Sequence, residues 1–225
     1  VDFPTVRLEQ LTVRRGAVLA LDGVDAVFPA AAVTVLVGPN GSGKSTLLDV
    51  LAGALPATSG QVLGLRQLTV AYVPQHSAVT PDLPITVAET VAMGRWRERG
   101  LLGRLRAGDR AVVDRCVEVM GLQDLRTAPL TRLSGGQRQR ALVAQGLAAR
   151  ADVLLVDEPT AGVDEATRRA LLDALDAEAA RGAVVVHATH DEPAVARADH
   201  RLALRDGRVE DHRGAPTAGG RPPRW

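Results

Sequence analysis

Two hydrophobic spacings alternate along the chain. Near the start, Val6, Leu8, Leu11 and Val13 recur at strand spacing with a phase break near Gln10, which predicts edge strands with an irregularity there. Val33-Thr34-Val35-Leu36-Val37 is a β-branched run ending at Gly38, the pattern of a strand buried on both faces. Lys44 to Ala52 has helical character with Gly53 as its stop, and Val70 to Val73 is a further strand closed by Pro74. From about Gln75 to Gln145 the spacing turns helical. Thr86-Val87-Ala88-Glu89 fits a capping box and apolar positions continue to Met93. Ala111 to Met120 is a second amphipathic segment, stopped by Gly121, and Ser134 to Ala149 a third with a Ser-x-x-Gln start.

Strands and helices then alternate again. Val153 to Val156 is apolar, Asp164 to Ala180 is a capped helix ending near Gly182, and Ala183 to Ala188 is a buried strand. Leu202-Ala203-Leu204, Asp206-Gly207 and Val209 read as a small hairpin. The expected class is α/β, a parallel core interrupted by a helical insert. The division places the core and a β subdomain in residues 1–75 and 146–212, the helical subdomain in 76–145, and a flexible Pro-, Gly- and Arg-rich tail in 213–225.

Composition narrows the class. The 225 residues are 46% hydrophobic and 24% charged, which suits a globular chain and excludes a collagen-like or disordered one. Cys116 is the only cysteine, so an intrachain disulfide and a multi-thiolate zinc site are excluded. The longest apolar stretch, Ala26 to Val37, has 12 residues, short of the roughly 20 a spanning helix needs. Val1-Asp2-Phe3-Pro4 lacks the basic start of a signal peptide. A formal charge of +1 gives no electrostatic case for a nucleic-acid partner, and none is expected.

Of 27 basic residues only Lys44 is lysine; the others are arginine. That lysine falls in Gly38-Pro39-Asn40-Gly41-Ser42-Gly43-Lys44-Ser45, a phosphate-loop pattern with a strand before it and a helix after it. Glycines let successive N–H groups converge on an anion, and the helix adds its positive dipole end. Lys44 suits the β- and γ-phosphates, the Ser45 hydroxyl suits Mg²⁺, and Thr46 completes the candidate nucleotide-binding set. An Asn-Lys-x-Asp guanine element is impossible with the one lysine already used, which favours adenine. Val153-Leu154-Leu155-Val156-Asp157-Glu158 places two carboxylates after an apolar strand. Asp157 is expected to hold Mg²⁺ through its water shell and Glu158 to act as general base on the attacking water.

With Leu133-Ser134-Gly135-Gly136-Gln137 lying between the phosphate loop and the acidic strand, the chain resembles the ATP-binding subunit of ABC transporters over about residues 5 to 210. In that resemblance Gln75 matches the Q-loop, Ala161-Gly162-Val163-Asp164 the D-loop, and His190 the switch histidine. It implies a P-loop NTPase (RecA-like) core with an antiparallel β subdomain and an inserted helical subdomain. It also implies a head-to-tail homodimer with two ATPs held between phosphate loops and the opposite copies' signatures. Ser134, Gly135, Gly136 and Gln137 would meet the γ-phosphate of the opposite copy. His190 would hydrogen-bond the γ-phosphate and the Glu158 side, and Gln75 would contact Mg²⁺ and water. Asp164 would lie at the dimer interface, although it is also a good helix N-cap. Where the family often stacks adenine on an aromatic residue this chain has Arg15, whose guanidinium plane also stacks on bases.

Pro84-Ile85-Thr86-Val87-Ala88-Glu89-Thr90-Val91-Ala92-Met93-Gly94-Arg95 looks like zinc or manganese importers and, less closely, iron–siderophore importers. That resemblance implies transmembrane permease subunits, an extracytoplasmic metal-binding protein, and a peripheral place at the cytoplasmic face of the membrane. Segment 76–132 would dock the permease, with Arg95, Arg97, Arg99, Arg104, Arg106 and Arg110 as a solvated or membrane-proximal cluster. His187 and His190 flank a predicted strand end without a wider ligand constellation. Two other readings stand beside importer ATPase. A soluble ABC ATPase of DNA repair or translation would need a coiled-coil insert or a second cassette. A small-molecule P-loop kinase would leave the signature unexplained.

Overall fold

The computed structural model describes residues 5–75, 85–99, 104–159 and 163–214. In chain order the elements are β1 (Val6–Arg15), β2 (Val18–Phe28), β3 (Ala32–Val37), α1 (Lys44–Leu51), β4 (Ser59–Leu63), β5 (Val70–Val73), α2 (Val87–Met93), α3 (Trp96–Arg99), α4 (Ala107–Val119), α5 (Gly135–Ala148), β6 (Val153–Asp157), α6 (Glu165–Ala180), β7 (Val184–Ala188), α7 (Glu192–Arg197), β8 (His200–Arg205) and β9 (Arg208–Gly214).

β3, β5, β6, β7 and β8 form the parallel core of a six-stranded sheet ordered β5-β6-β7-β3-β8-β9, with β9 antiparallel at one edge. β6 and β7 are buried at every residue, as their continuous apolar runs require. One face of the sheet packs Leu36, Leu155, Val184 and Val186 against α1 and the β1–β2 hairpin; the other packs Val33, Leu154, Val156 and Val185 against α5 and α6. This is the layered α/β core expected from the sequence, a P-loop NTPase architecture.

A second, antiparallel sheet is ordered β2-β1-β4. The phase break in β1 is a β-bulge. The register slips between Leu8 and Leu11, Gln10 takes φ +47°, and its N–H donates to Asp25 Oδ1 at 2.8 Å. The extra residue lets Leu8 and Leu11 both face the core despite their odd spacing.

Helix starts follow their sequence signals. Thr86 caps α2 with a reciprocal bond to Glu89, and Asp164 caps α6 by accepting from the Thr167 N–H at 2.9 Å. Two subdomain limits differ from the sequence division. Residue 145 falls within α5, which is one continuous helix because nothing in 135–148 breaks it. Arg213 and Gly214 belong to β9, drawn into the sheet by pairing with β8, while 215–225 lies outside the described residues.

The arginine cluster is also corrected. Arg95 is 5% exposed; its Nε donates to Asp109 Oδ1 at 3.1 Å and its Nη1 to the Ala148 carbonyl at 3.1 Å. Asp109 takes the Arg106 N–H on its other oxygen at 2.9 Å, so this ion pair ties α2, α4 and α5 together inside the helical layer. Arg97, Arg104 and Arg110 remain surface residues, whereas the Arg99 side chain lies outside the described residues.

Candidate nucleotide-hydrolysis site

Ligands of open parallel sheets gather outside the carboxyl ends of the strands. Here the strand order places four such ends side by side: Gln75 follows β5, Glu158 follows β6, His190 follows β7, and the loop 38–43 follows β3.

The loop is tightly cradled. At Gly38, with φ +149°, a Cβ would lie 2.1 Å from the Leu204 carbonyl oxygen; at Gly43, with φ +105°, it would lie 2.7 Å from the Ala20 carbonyl oxygen. Neither position admits a side chain. The turn of the β8–β9 hairpin braces the loop through the Gly207 N–H, which donates to the Ser42 carbonyl at 3.1 Å. Gly43 is the N-cap of α1 and supplies no side-chain cap, which leaves the first N–H groups of that helix for an anion. Lys44, 8% exposed, extends its ammonium across the loop to the carbonyls of Gly38 at 2.7 Å and Pro39 at 3.2 Å.

Asp157 ends β6 and is 3% exposed. Burial pushes its carboxyl pKa up, the nearby Glu158 and Asp49 charges add to this, and the Ser45 hydroxyl bond and Lys44 oppose it. A buried carboxylate hydrogen-bonded to the first-turn serine of the phosphate-loop helix offers hard oxygen donors, and a divalent cation there would offset the burial penalty on its charge. The Mg²⁺ expectation for Ser45 and Asp157 therefore fits the residues present.

Glu158 lies just past the strand at φ +46°, its N–H donating to the Ala188 carbonyl at 2.9 Å. One oxygen, Oε2, accepts from Gln75 Nε2 at 2.6 Å, and the other, Oε1, lies 3.4 Å from His190 Nδ1. The carboxylate is 13% exposed and the histidine 81%, so a shielded acid faces an open imidazole. Three candidates from three separate loops thus converge on one carboxylate. His187, by contrast, sits within β7 with no exposed surface, beside Val35 and Val156 in register.

A pocket of about 640 Å³ runs along these groups, lined by Arg15, Val18, Leu19, Ala20, Asn40, Gly41, Gly43, Lys44, Ser45, Thr46, Gln75, Glu158, Asp206 and Gly207. Val18, Leu19, Ala20, Asp206 and Gly207 were not among the sequence candidates. The first three lie in an apolar run that carries no site motif, and Asp206-Gly207 read only as a turn. Ser134, Gly135, Gly136, Gln137 and Asp164 do not line it. Ser134 caps α5, its oxygen accepting from the Gln137 N–H at 3.3 Å while its own N–H donates to Gln137 Oε1 at 2.9 Å. Asp164 acts as the α6 cap. Ala161 and Gly162 of the D-loop lie outside the described residues.

A cradled phosphate-loop sequence, a buried carboxylate at a strand end and a shielded glutamate beside it are the features of a nucleoside-triphosphate-hydrolysing P-loop protein. The family model described as ABC transporter matches residues 21–161, and the chain belongs to that family. It is an ABC-type ATPase whose hydrolysis is coupled to transport. The zinc transport system ATP-binding protein TroB of Treponema pallidum is 36% identical over 210 residues, covering 91% of this chain and 79% of that one. The manganese transport system ATP-binding protein MntB of Bacillus subtilis is 34% identical over 195 residues, covering 84% and 78%. A dimeric ATP-binding cassette in a post-hydrolysis state, bound to ADP and phosphate, superposes with a TM-score of 0.79 at 25% identity, covering 93% of this chain and 98% of that one.

Proposed function

We propose that this chain powers import of a metal ion, zinc or manganese, through separate permease subunits, acting as a head-to-tail pair of copies at the cytoplasmic face of the membrane. The observation that carries the catalytic part is the convergence of Gln75 and His190 on Glu158 beside the phosphate loop. The cargo class rests on likeness to relatives named for zinc and manganese transport. An extracytoplasmic metal-binding protein completes the proposed system.

In this reading the loop N–H groups and Lys44 bind the phosphate oxygens, and Thr46 and Ser45 hold the start of α1 against them. Ser45 and Asp157, with Gln75, would hold Mg²⁺, which would supply neutralisation of the phosphate charge. Glu158 orients the attacking water and takes its proton on a carboxylate oxygen, while the Gln75 amide fixes the rotamer of that carboxylate. His190, exposed on the open side, reaches toward the γ-phosphate. Ser134 and its two glycines do not line their own chain's pocket, which supports completion of the γ-phosphate site by the signature of a second copy.

A groove of about 530 Å³ between β5 and the helical layer, lined by residues including Tyr72, Pro74, Met93, Arg97, Gln145 and Ala149, supports a permease docking site. It ends one residue from Gln75, and the Pro74 carbonyl accepts from Gln139 Nε2 of α5 at 3.1 Å. Movement of a permease segment there would reach the Gln75–Glu158 bond directly. No helix among the described residues is long and apolar enough to cross a membrane.

The test is reconstitution of the ATPase with its permease in vesicles. ATP-dependent zinc or manganese uptake that disappears with Lys44→Ala is expected; uptake of neither metal by an assembled, ATP-hydrolysing complex overturns the cargo assignment.

A further inference from the structure

The nucleotide pocket has two parts with different chemistry. Glu158 and Gln75, bonded to each other, line one part of it; Arg15 and Val18, paired across the β1–β2 hairpin, line another. Among the described residues no Phe, Tyr or Trp lines the pocket, so the part near Arg15 offers no aromatic face. It offers instead Arg15, half-exposed at the last position of β1, directly paired across the hairpin with Val18, whose apolar side chain is 65% exposed.

A free arginine is a poor platform because its long stem loses rotamer entropy when it is held in one pose. Arg15 is already held. Its Nη2 bonds Asp49 Oδ2, and the other oxygen of Asp49 accepts from the Tyr72 hydroxyl at 3.2 Å. The Asp49 bond engages the edge of the guanidinium, and the side chain is half-exposed. Burial and the Asp49 charge push the Tyr72 phenol well above its ordinary range, which keeps its O–H a donor. Asp49 also lies on α1 four residues after Ser45, the same helix that presents its N-terminus to the phosphates.

We propose that Asp49 and Tyr72 are positioning residues for the nucleotide base, holding the Arg15 guanidinium plane beside Val18 as a platform for a purine ring. The inference rests on the ATP-binding reading of the pocket and deepens it. A guanidinium face stacks on any purine and reads no ring edge, so the platform adds affinity with little selectivity between adenine and guanine. Because Asp49 and Ser45 share one helix, the base and phosphate ends are fixed to each other by its first two turns.

The experiment is calorimetric titration of the full chain, without Mg²⁺, by ATP, GTP and inorganic tripolyphosphate. Arg15→Ala and Asp49→Ala are each expected to weaken ATP and GTP about tenfold, with tripolyphosphate changed less than twofold. The double variant is expected to lose no more than either single one, and Tyr72→Phe to lose less. Asp49→Asn, which keeps the shape of the side chain, is expected to fall between wild type and Asp49→Ala. Arg15→Tyr in the Asp49→Ala background is expected to restore ATP binding, because an aromatic ring needs no carboxylate to hold it. Equal losses for tripolyphosphate, additive losses in the double variant, or a wild-type preference for ATP over GTP of a hundredfold or more overturns the proposal. Wild-type protein that binds tripolyphosphate but shows no base-dependent gain sinks this proposal alone; binding of neither ATP nor tripolyphosphate sinks the nucleotide reading beneath it.

Discussion

Gln75 Nε2 donates to Glu158 Oε2 at 2.6 Å, joining the loop after β5 to the loop after β6 across 83 residues of sequence. The bond fixes one oxygen of the carboxylate and leaves the other toward His190. A general base gains from this because its basic oxygen is aimed before the water arrives. The same bond makes the base sensitive to whatever moves Gln75, and Gln139 of α5 already grips the residue before it.

Glu158→Gln is expected to keep ATP binding and lower turnover by at least about a hundredfold, the usual scale for removing a positioned base. ATP-loaded protein should then accumulate as a dimer, visible by light scattering. Turnover near the wild-type rate would remove Glu158 from that role.

Ser134→Arg should leave nucleotide binding by single copies unchanged, because Ser134 lies outside their own pocket. It should abolish turnover, since a bulky cation then occupies the start of α5 where the second copy's phosphate is proposed to sit. Retained hydrolysis would contradict the shared site; steady-state ATPase assays and binding titrations together decide it.

Arg95→Ala should destabilise the protein by about 3–5 kcal/mol, because the buried Asp109 would lose the guanidinium that bonds its Oδ1. Replacing both by apolar residues, Arg95→Met with Asp109→Leu, should cost clearly less. Urea unfolding of the single and double variants measures the difference.

Stability should fall on mild acidification, and His187 contributes to the fall. Burial lowers its pKa from 6.5 to about 4, and neither ring nitrogen has a hydrogen-bond partner among the described residues. Between those values the unfolded chain binds the proton and the folded one does not, so stability is full above pH 6.5 and declines as pH falls toward 4. From pH 7.5 to 5 the loss from this residue should be about 2 kcal/mol. Burial also lowers the pKa of His212, which adds to the same slope. The comparison is therefore with His187→Leu, whose urea midpoint should vary less with pH; an unchanged pH slope would count against the assignment.

Much of the fold was legible because local signals agreed with one another. Buried runs such as Val33–Val37 and caps such as Thr86, Ser134 and Asp164 carry their structure in adjacent residues. β4 was not foreseen because its exposed, polar Ser59–Leu63 pattern becomes a strand only by pairing with β1. Arg95 read as one more surface cation because the Asp109 that neutralises it is 14 residues away. Asp49 and Tyr72 carried no signal at all; an aspartate within a helix and a tyrosine within a strand acquire a joint role only when α1 packs beside β5.

The sequence by itself determined the chemistry that contiguous residues can hold: a glycine-rich loop ahead of a helix, an acid pair at the end of an apolar strand, a serine-glycine helix start. These are read locally because backbone conformation and side-chain type act over a few residues. Tertiary structure alone decided which oxygen of Glu158 Gln75 grips, that the signature does not line its own chain's pocket, and that Arg15 is held by Asp49. Those outcomes depend on strand order and helix packing, where residues distant in the chain come within hydrogen-bond reach, and no local pattern encodes that distance.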